Sequence, residues 1–317
     1  MLDQTVNPPK RNRLIDLERR MDIRPLTPRF GAELIGVGLA EVADPGAAGD
    51  AAYAFVRAAF EEHSILLFRN ETITDDLQVA YSRRFGTLET AKVASLGEGT
   101  PFSILTNVDR ATGALVPPDH KESLRAKANQ LWHTDSSFKA QPALASVLSA
   151  HTVPPTGGET EFASQRLAWE RLPESMRARV ADLCVWHDYA HSRGQIAPHL
   201  ASTRERDAMP PARWRIRWRN PVNGREAFYL ASHAGAIEGM PDAEARALLA
   251  ELTAHITDPA YTYTHRWRAG DVIMWDNRAT MHRGRPWPAG DHARLMMRTT
   301  ISASESDGLA SVRPGVH

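Results

Sequence analysis

Cysteine is almost absent from this sequence. Cys184 is the only one among 317 residues, so no intrachain disulfide can form and nothing points to an oxidising compartment. A surplus of charge of either sign is also missing, because 38 Lys and Arg balance 38 Asp and Glu. That balance argues against a general nucleic-acid binder, which carries a basic excess, and against a disordered acidic chain. No run of about 18 apolar residues exists to span a membrane. Residues 1–22 (MLDQTVNPPKRNRLIDLERRMD) are polar with scattered arginines and lack the apolar stretch of a signal peptide. Internal repeats and Gly/Ser-rich linkers are absent too. These absences leave the expectation of a soluble, cytoplasmic protein with no nucleic-acid or membrane partner, whose specificity resides in one local site.

What is present is the composition of a packed globular chain, 42% hydrophobic and 24% charged. The length admits two domains at about 150 residues each, but the pattern reads as a polar arm over 1–22 followed by a single domain over 23–317. Residues 30–37 (FGAELIGV) alternate as a strand does. Residues 48–63 place Tyr53, Val56 and Phe60 at helical spacing and run into a short apolar strand, 64–68. A second helix is expected over 74–84, with Thr74 as its N-cap. Residues 89–131 carry loop chemistry over a span too long for a simple connection, which suits a lid or substrate loop. Further helices are expected over 166–183 and 242–256. Residues 213–219 (RWRIRWR) predict one strand with Trp214, Ile216 and Trp218 inward and four arginines on a wet face. Strands also fit 271–276 and 294–302. Scattered strands with segregated helices favour a mainly β fold with α additions, a double-stranded β-helix (jelly-roll, cupin-like) core.

The sharpest local feature is LWHTDSSF at 131–138. His133 and Asp135 are two apart, which on a strand puts imidazole and carboxylate on one face. Far downstream, WDNRATMHRG (275–284) places His282 after a strand and a turn. Two histidines and a carboxylate form the facial triad of non-haem Fe(II) oxygenases, and the same ligands also serve zinc hydrolases. In TGGETEF (156–162) the glycines permit unusual backbone angles and set Thr160 at the start of a strand. Arg294 and Arg298 share a strand face by parity. A guanidinium fork with a threonine hydroxyl makes a carboxylate clamp, so Arg294 and Thr160 point to a dicarboxylate cosubstrate that chelates the metal at its other end. Asn277 is expected to orient the turn before His282, and Cys184 reads as inert packing.

Taken together, RRFGTLE (83–89), LWHTDSSF (131–138), PPTGGETEFA (154–163), SRG (192–194), LASHAG (230–235), MWDNRATMHRG (274–284) and RLMMRTTI (294–301) resemble the taurine dioxygenase/(2,4-dichlorophenoxy)acetate dioxygenase family of Fe(II)/2-oxoglutarate-dependent oxygenases. The second and fifth segments are closer to the phenoxyacetate branch. The resemblance implies His133, Asp135 and His282 as iron ligands, and Thr160 and Arg294 as holders of the distal carboxylate of 2-oxoglutarate. It places Arg298 against the substrate's own anion. Where the taurine enzyme offers a histidine to its sulfonate, this chain reads TLETAKVAS with Lys92 as the nearest cation. A small anionic substrate of aryloxyalkanoate type is therefore expected ahead of a sulfonate or sulfate ester, with Lys92 and His233 as further substrate contacts. The intact Asp135 favours hydroxylation by O2 over halogenation. The family also implies a homo-oligomer. A zinc hydrolase and a non-catalytic ligand-binding jelly roll are the competing readings.

Overall fold

The computed structural model describes residues 16–117 and 120–315. A seven-stranded sheet runs in the order Asp22–Pro25, Ala32–Ile35, Ile65–Phe68, Val272–Asp276, Ala143–Thr152, Leu295–Ser302 and Ser103–Thr106. Its neighbours are antiparallel except for the parallel pair Ala32–Ile35 and Ile65–Phe68. A smaller sheet has Thr160–Ser164 between Thr262–His265 and Thr280–Gly284. The middle of the chain adds a three-stranded sheet centred on Cys184–His187 and a hairpin of Arg217–Arg219 with Glu226–Phe228.

Strand parity explains why the central strands are apolar throughout. Leu66, Phe68, Val272 and Met274 point outward, beneath the helices Ala47–His63 and Asp75–Arg83, where they share a core with Val56, Phe60 and Tyr81. Their neighbours Ile65, Leu67, Ile273 and Trp275 point inward and meet Phe162 of the smaller sheet. Both faces are covered, so alternation with polar residues would bury unpaired groups. Thr74 caps the second helix as its sequence predicts, its hydroxyl accepting from Leu77 N–H at 3.2 Å.

Several elements differ from the sequence expectation. The helix expected over 166–183 is two, Gln165–Arg171 and Glu174–Val180, because Pro173 cannot donate to the helical ladder and instead starts the second. The strand expected over 213–219 divides at Ile216: Ala212–Arg215 pairs with Cys184–His187, whereas Arg217–Arg219 pairs with Glu226–Phe228. Its wet face is nonetheless as expected, with Arg213 on Glu238, Arg215 on Asp182 and Arg217 on Glu226. The expected arm falls for 1–15 outside the described residues. Residues 16–20 form a helical turn, Leu17 is only 4% exposed and joins the outer core, and the first strand begins at Asp22. Among the described residues, no helix is long and apolar enough to cross a membrane.

Candidate metal and cosubstrate site

His133 and His282 are joined as an antiparallel bridge. His133 N–H donates to His282 O at 2.9 Å, and His282 N–H returns to His133 O at 2.7 Å. His282 lies on Thr280–Gly284, while His133 lies outside any regular strand and Asp135 lies in the turn that follows. The strand geometry expected for the H-x-D pair is therefore corrected. A bridge residue and a turn bring the two together, and Ser136 takes a left-handed φ of 56° to make that turn. Thr134 pins it, its hydroxyl donating to the carbonyls of Asn277 at 2.7 Å and Thr280 at 3.0 Å.

One ligand atom from each of His133, Asp135 and His282 lies within 4.8 Å of the others, and all three residues are buried. His133 Nδ1 donates to the Leu131 carbonyl at 2.7 Å, which leaves its Nε2 as the lone-pair nitrogen. Burial holds both imidazoles below their usual pKa, so both are neutral ligands. Burial pushes the Asp135 carboxyl up, but the Arg298 guanidinium and the hydrogen bond from Ser146 act against it, and the carboxyl stays well below the usual carboxylate range. The donor set thus fits a divalent cation in charge, protonation and spacing.

Asp135 is aimed by its neighbours. Ser146 donates to its Oδ2 at 2.7 Å and Arg298 Nη1 to its Oδ1 at 2.5 Å. Asn277 ties these parts together: its amide donates to Ser146 Oγ at 3.0 Å, and its oxygen accepts from Asp135 N–H at 3.0 Å and Trp275 Nε1 at 3.1 Å. The orienting role expected of Asn277 has a concrete form here. Sequence reasoning misses Ser146 and Thr134, since single hydroxyl residues carry no spacing signal.

The site opens on a cavity of about 460 Å³ lined by His133, Asp135, Lys92, His233, Arg294 and Arg298, among others. Arg294 immediately precedes Leu295–Ser302 and is 8% exposed. Among the described residues, its Nε has no hydrogen-bond partner and its Nη2 reaches only the Gly158 carbonyl at 3.4 Å; burial lowers its pKa to about 10. A buried guanidinium without a carboxylate is a receptor for one. Gly158 beside it takes a left-handed φ of +71°, a backbone angle that favours glycine. Thr160 starts its strand as expected, but its oxygen already accepts from Trp267 Nε1 at 2.9 Å, and it is not among the cavity-lining residues. Lys92 donates to Tyr189 OH at 2.7 Å, and His233 stacks on Phe138 at 4.7 Å and lies 3.3 Å from Ser137 Oγ. His187 lies away from the cavity, buried against Tyr229.

These features bring a candidate metal site and a candidate anion receptor together, and comparison with known proteins gives them a family. Residues 22–300 match the family described as taurine catabolism dioxygenase TauD, TfdA family. The chain belongs to that family. It is 36% identical over 281 residues to an alpha-ketoglutarate-dependent 2,4-dichlorophenoxyacetate dioxygenase of Cupriavidus pinatubonensis, covering 87% of this chain and 96% of that protein. An alpha-ketoglutarate-dependent sulfate ester dioxygenase of Pseudomonas putida is 30% identical, with 91% and 92% covered. Among solved structures, AAD-2 in complex with Mn(II) and N-oxalylglycine is 34% identical with a TM-score of 0.81, covering 94% of this chain and 99% of that one.

Proposed function

We propose that the protein is an Fe(II)- and 2-oxoglutarate-dependent dioxygenase that hydroxylates a small organic anion, with an aryloxyalkanoate-like carboxylate favoured. The observation that carries this reading is the pairing of a buried His133–Asp135–His282 set with the carboxylate-free Arg294 on one cavity. The 2,4-dichlorophenoxyacetate dioxygenase relative supports the substrate class. The Mn(II)/N-oxalylglycine complex of AAD-2 supports a metal and a 2-oxo dicarboxylate. We read the seven-stranded sheet and the smaller sheet, which share the Phe162–Trp275 core, as the two halves of a double-stranded β-helix.

In this reading His133, Asp135 and His282 hold Fe(II). Arg294 takes the far carboxylate of 2-oxoglutarate, and Thr160 keeps its own O–H to donate to it while Trp267 fixes its oxygen. Lys92, His233 and Arg298 face the substrate. Bound Fe(II) with 2-oxoglutarate and O2 supplies the oxidising power that turns a substrate C–H into C–OH with release of succinate and CO2. Hydroxylation of a carbon bearing an ether oxygen cleaves that ether when the product collapses. The residues around the metal hold Asp135 ionised and both imidazoles neutral, and the loop 89–131 shields the reacting carbon from water. A sulfate ester substrate is the second reading, on the strength of the Pseudomonas putida relative.

Under anaerobic conditions, Fe(II) with 2-oxoglutarate is expected to give a visible charge-transfer absorption that disappears in His133→Ala. Admitting O2 should release succinate in step with consumption of a phenoxyacetate. A wild-type protein lacking that absorption, or releasing no succinate above background with phenoxyacetates, phenoxypropionates, alkylsulfonates or sulfate esters, is not this enzyme.

A further inference from the structure

Arg193, Arg294 and Arg298 all line the cavity that His133 and Asp135 open onto. Two of them have anions to serve. Arg298 donates to Asp135 Oδ1 at 2.5 Å, and Arg294 takes the far carboxylate of the cosubstrate. Arg193 has none: among the described residues no carboxylate forms an ion pair with it, its Nε lacks a hydrogen-bond partner, and the residue is only 9% exposed. A guanidinium cannot shed its proton. A buried one that faces a cavity is therefore a standing demand for a negative ligand.

Its surroundings fix the group in place without neutralising it. Arg193 lies in the last turn of Tyr189–Gly194, with its guanidinium carbon 4.6 Å from the centre of the Tyr189 ring. That ring is itself held, because Tyr189 OH donates to Glu205 Oε1 at 3.0 Å and accepts from Lys92 Nζ at 2.7 Å. On the metal side the neighbours are imidazoles. The rings of His133 and His233 lie 6.3 Å apart, and the guanidiniums of Arg193 and Arg298 line the same cavity as this pair.

We infer that Arg193, with His233 beside it, is the principal receiver of the substrate's anionic group, while Arg298 divides its capacity between that group and Asp135. This rests on the dioxygenase reading and sharpens its substrate class. An anion held close to His133 leaves room for only a short span between the charge and the reacting carbon. The preferred substrates are then organic monoanions of the substituted-acetate type, and neutral isosteres lose most of their affinity.

The test is calorimetric binding of phenoxyacetate and its neutral analogue 2-phenoxyacetamide to protein loaded with Mn(II) and 2-oxoglutarate, beside steady-state succinate release with Fe(II). Arg193→Gln is expected to weaken phenoxyacetate by about 30-fold or more. KM should rise in parallel, with kcat within about threefold and 2-oxoglutarate affinity unchanged. Arg193→Lys should recover part of the loss, and the amide should bind wild type and Arg193→Gln alike. The inference is overturned if Arg193→Gln binds phenoxyacetate within about threefold of wild type, or loses acid and amide equally. It is also overturned if wild type binds the acid no better than the amide. Failure of the dioxygenase reading would show differently, as wild-type protein that does not bind 2-oxoglutarate at all.

Discussion

Asn277 organises the His133–Asp135–His282 cluster without belonging to it. Its side chain accepts from the Asp135 backbone and from Trp275, and it donates to Ser146, which in turn donates to the carboxylate of Asp135. Removing it would leave three buried partners unsatisfied and free Asp135 to rotate. Asn277→Ala should lower metal affinity about 10- to 100-fold, measured by titrating Mn(II) or Fe(II) into the purified protein. Retention of wild-type affinity would show that Ser146 and Arg298 suffice to aim the carboxylate. At this scale the sequence is informative where residue type carries chemistry. His133, Asp135, His282 and Arg294 stand out by type and order along the chain; the structure clusters the first three and puts His133, Asp135 and Arg294 on one cavity. Ser146 and Thr134 are illegible there because a hydroxyl acquires its meaning only from the partner folded against it. Arg193 sits within the SRG segment, and only the absence of a carboxylate beside it in three dimensions sets it apart.

At the scale of elements, the described parts of the span 89–131 line much of the cavity and contain structure of their own. Ser103–Thr106 pairs onto Leu295–Ser302, and Lys121–Ala128 is helical. Neither is readable locally, since the strand exists through pairing with a partner far along the chain. Glu205 fastens this cover. Its buried Oε1 lies 3.6 Å from Lys92 Nζ, 3.1 Å from Arg125 Nη2 and 3.0 Å from Tyr189 OH, so two separate lid segments converge on one carboxylate. Burial raises its pKa, but Ser202, Lys92 and Arg125 outweigh that and bring it to about 2. The folded state therefore holds its proton less tightly than the unfolded chain does. The stabilisation is complete above about pH 4.5 and is lost as pH falls from there toward 2. Glu205→Gln should flatten that part of the acid-unfolding curve. It should also make 90–128 cut faster in limited proteolysis at neutral pH, and unchanged cleavage would argue that the lid is held elsewhere. The helices Ala47–His63 and Asp75–Arg83 are legible to within a residue because capping and apolar spacing are local signals. The break at Ile216 is not, because both halves carry the same alternation and differ only in which strand they pair with.

Across the whole molecule, charge is concentrated rather than scarce. A neutral total hides a cavity walled by Lys92, Arg193, Arg294 and Arg298 against Asp135 and Glu89. It also hides a fully buried network in which Arg278 donates to Asp276 Oδ1 and Oδ2 at 2.9 Å and to Glu61 Oε2 at 2.8 Å. Arg57 extends it to Glu61 and Asp307. This network ties the helix Ala47–His63 to the end of Val272–Asp276 and to the C-terminal turn; its members do not line the cavity, but Asp276 and Arg278 flank Asn277. Arg278→Met leaves two carboxylates buried without their partner, at an expected cost of about 3–5 kcal/mol. Denaturant unfolding should show this as a lower midpoint. A cost below about 1 kcal/mol would mean that the carboxylates take up protons or water instead.

The bridge between His133 and His282 has a consequence for how the protein comes into being. Two of the three metal-facing residues are held by reciprocal backbone hydrogen bonds between segments from the middle and the end of the chain. Closing so large a loop is a late and entropically costly event in folding. The metal cannot template it, because the nascent chain offers only the His133–Asp135 pair until the last strands arrive. Once closed, the same hydrogen bonds keep the ligands in register with no help from an ion. The expected order is therefore folding first and metal loading second, into a pocket whose backbone register is already set by the bridge.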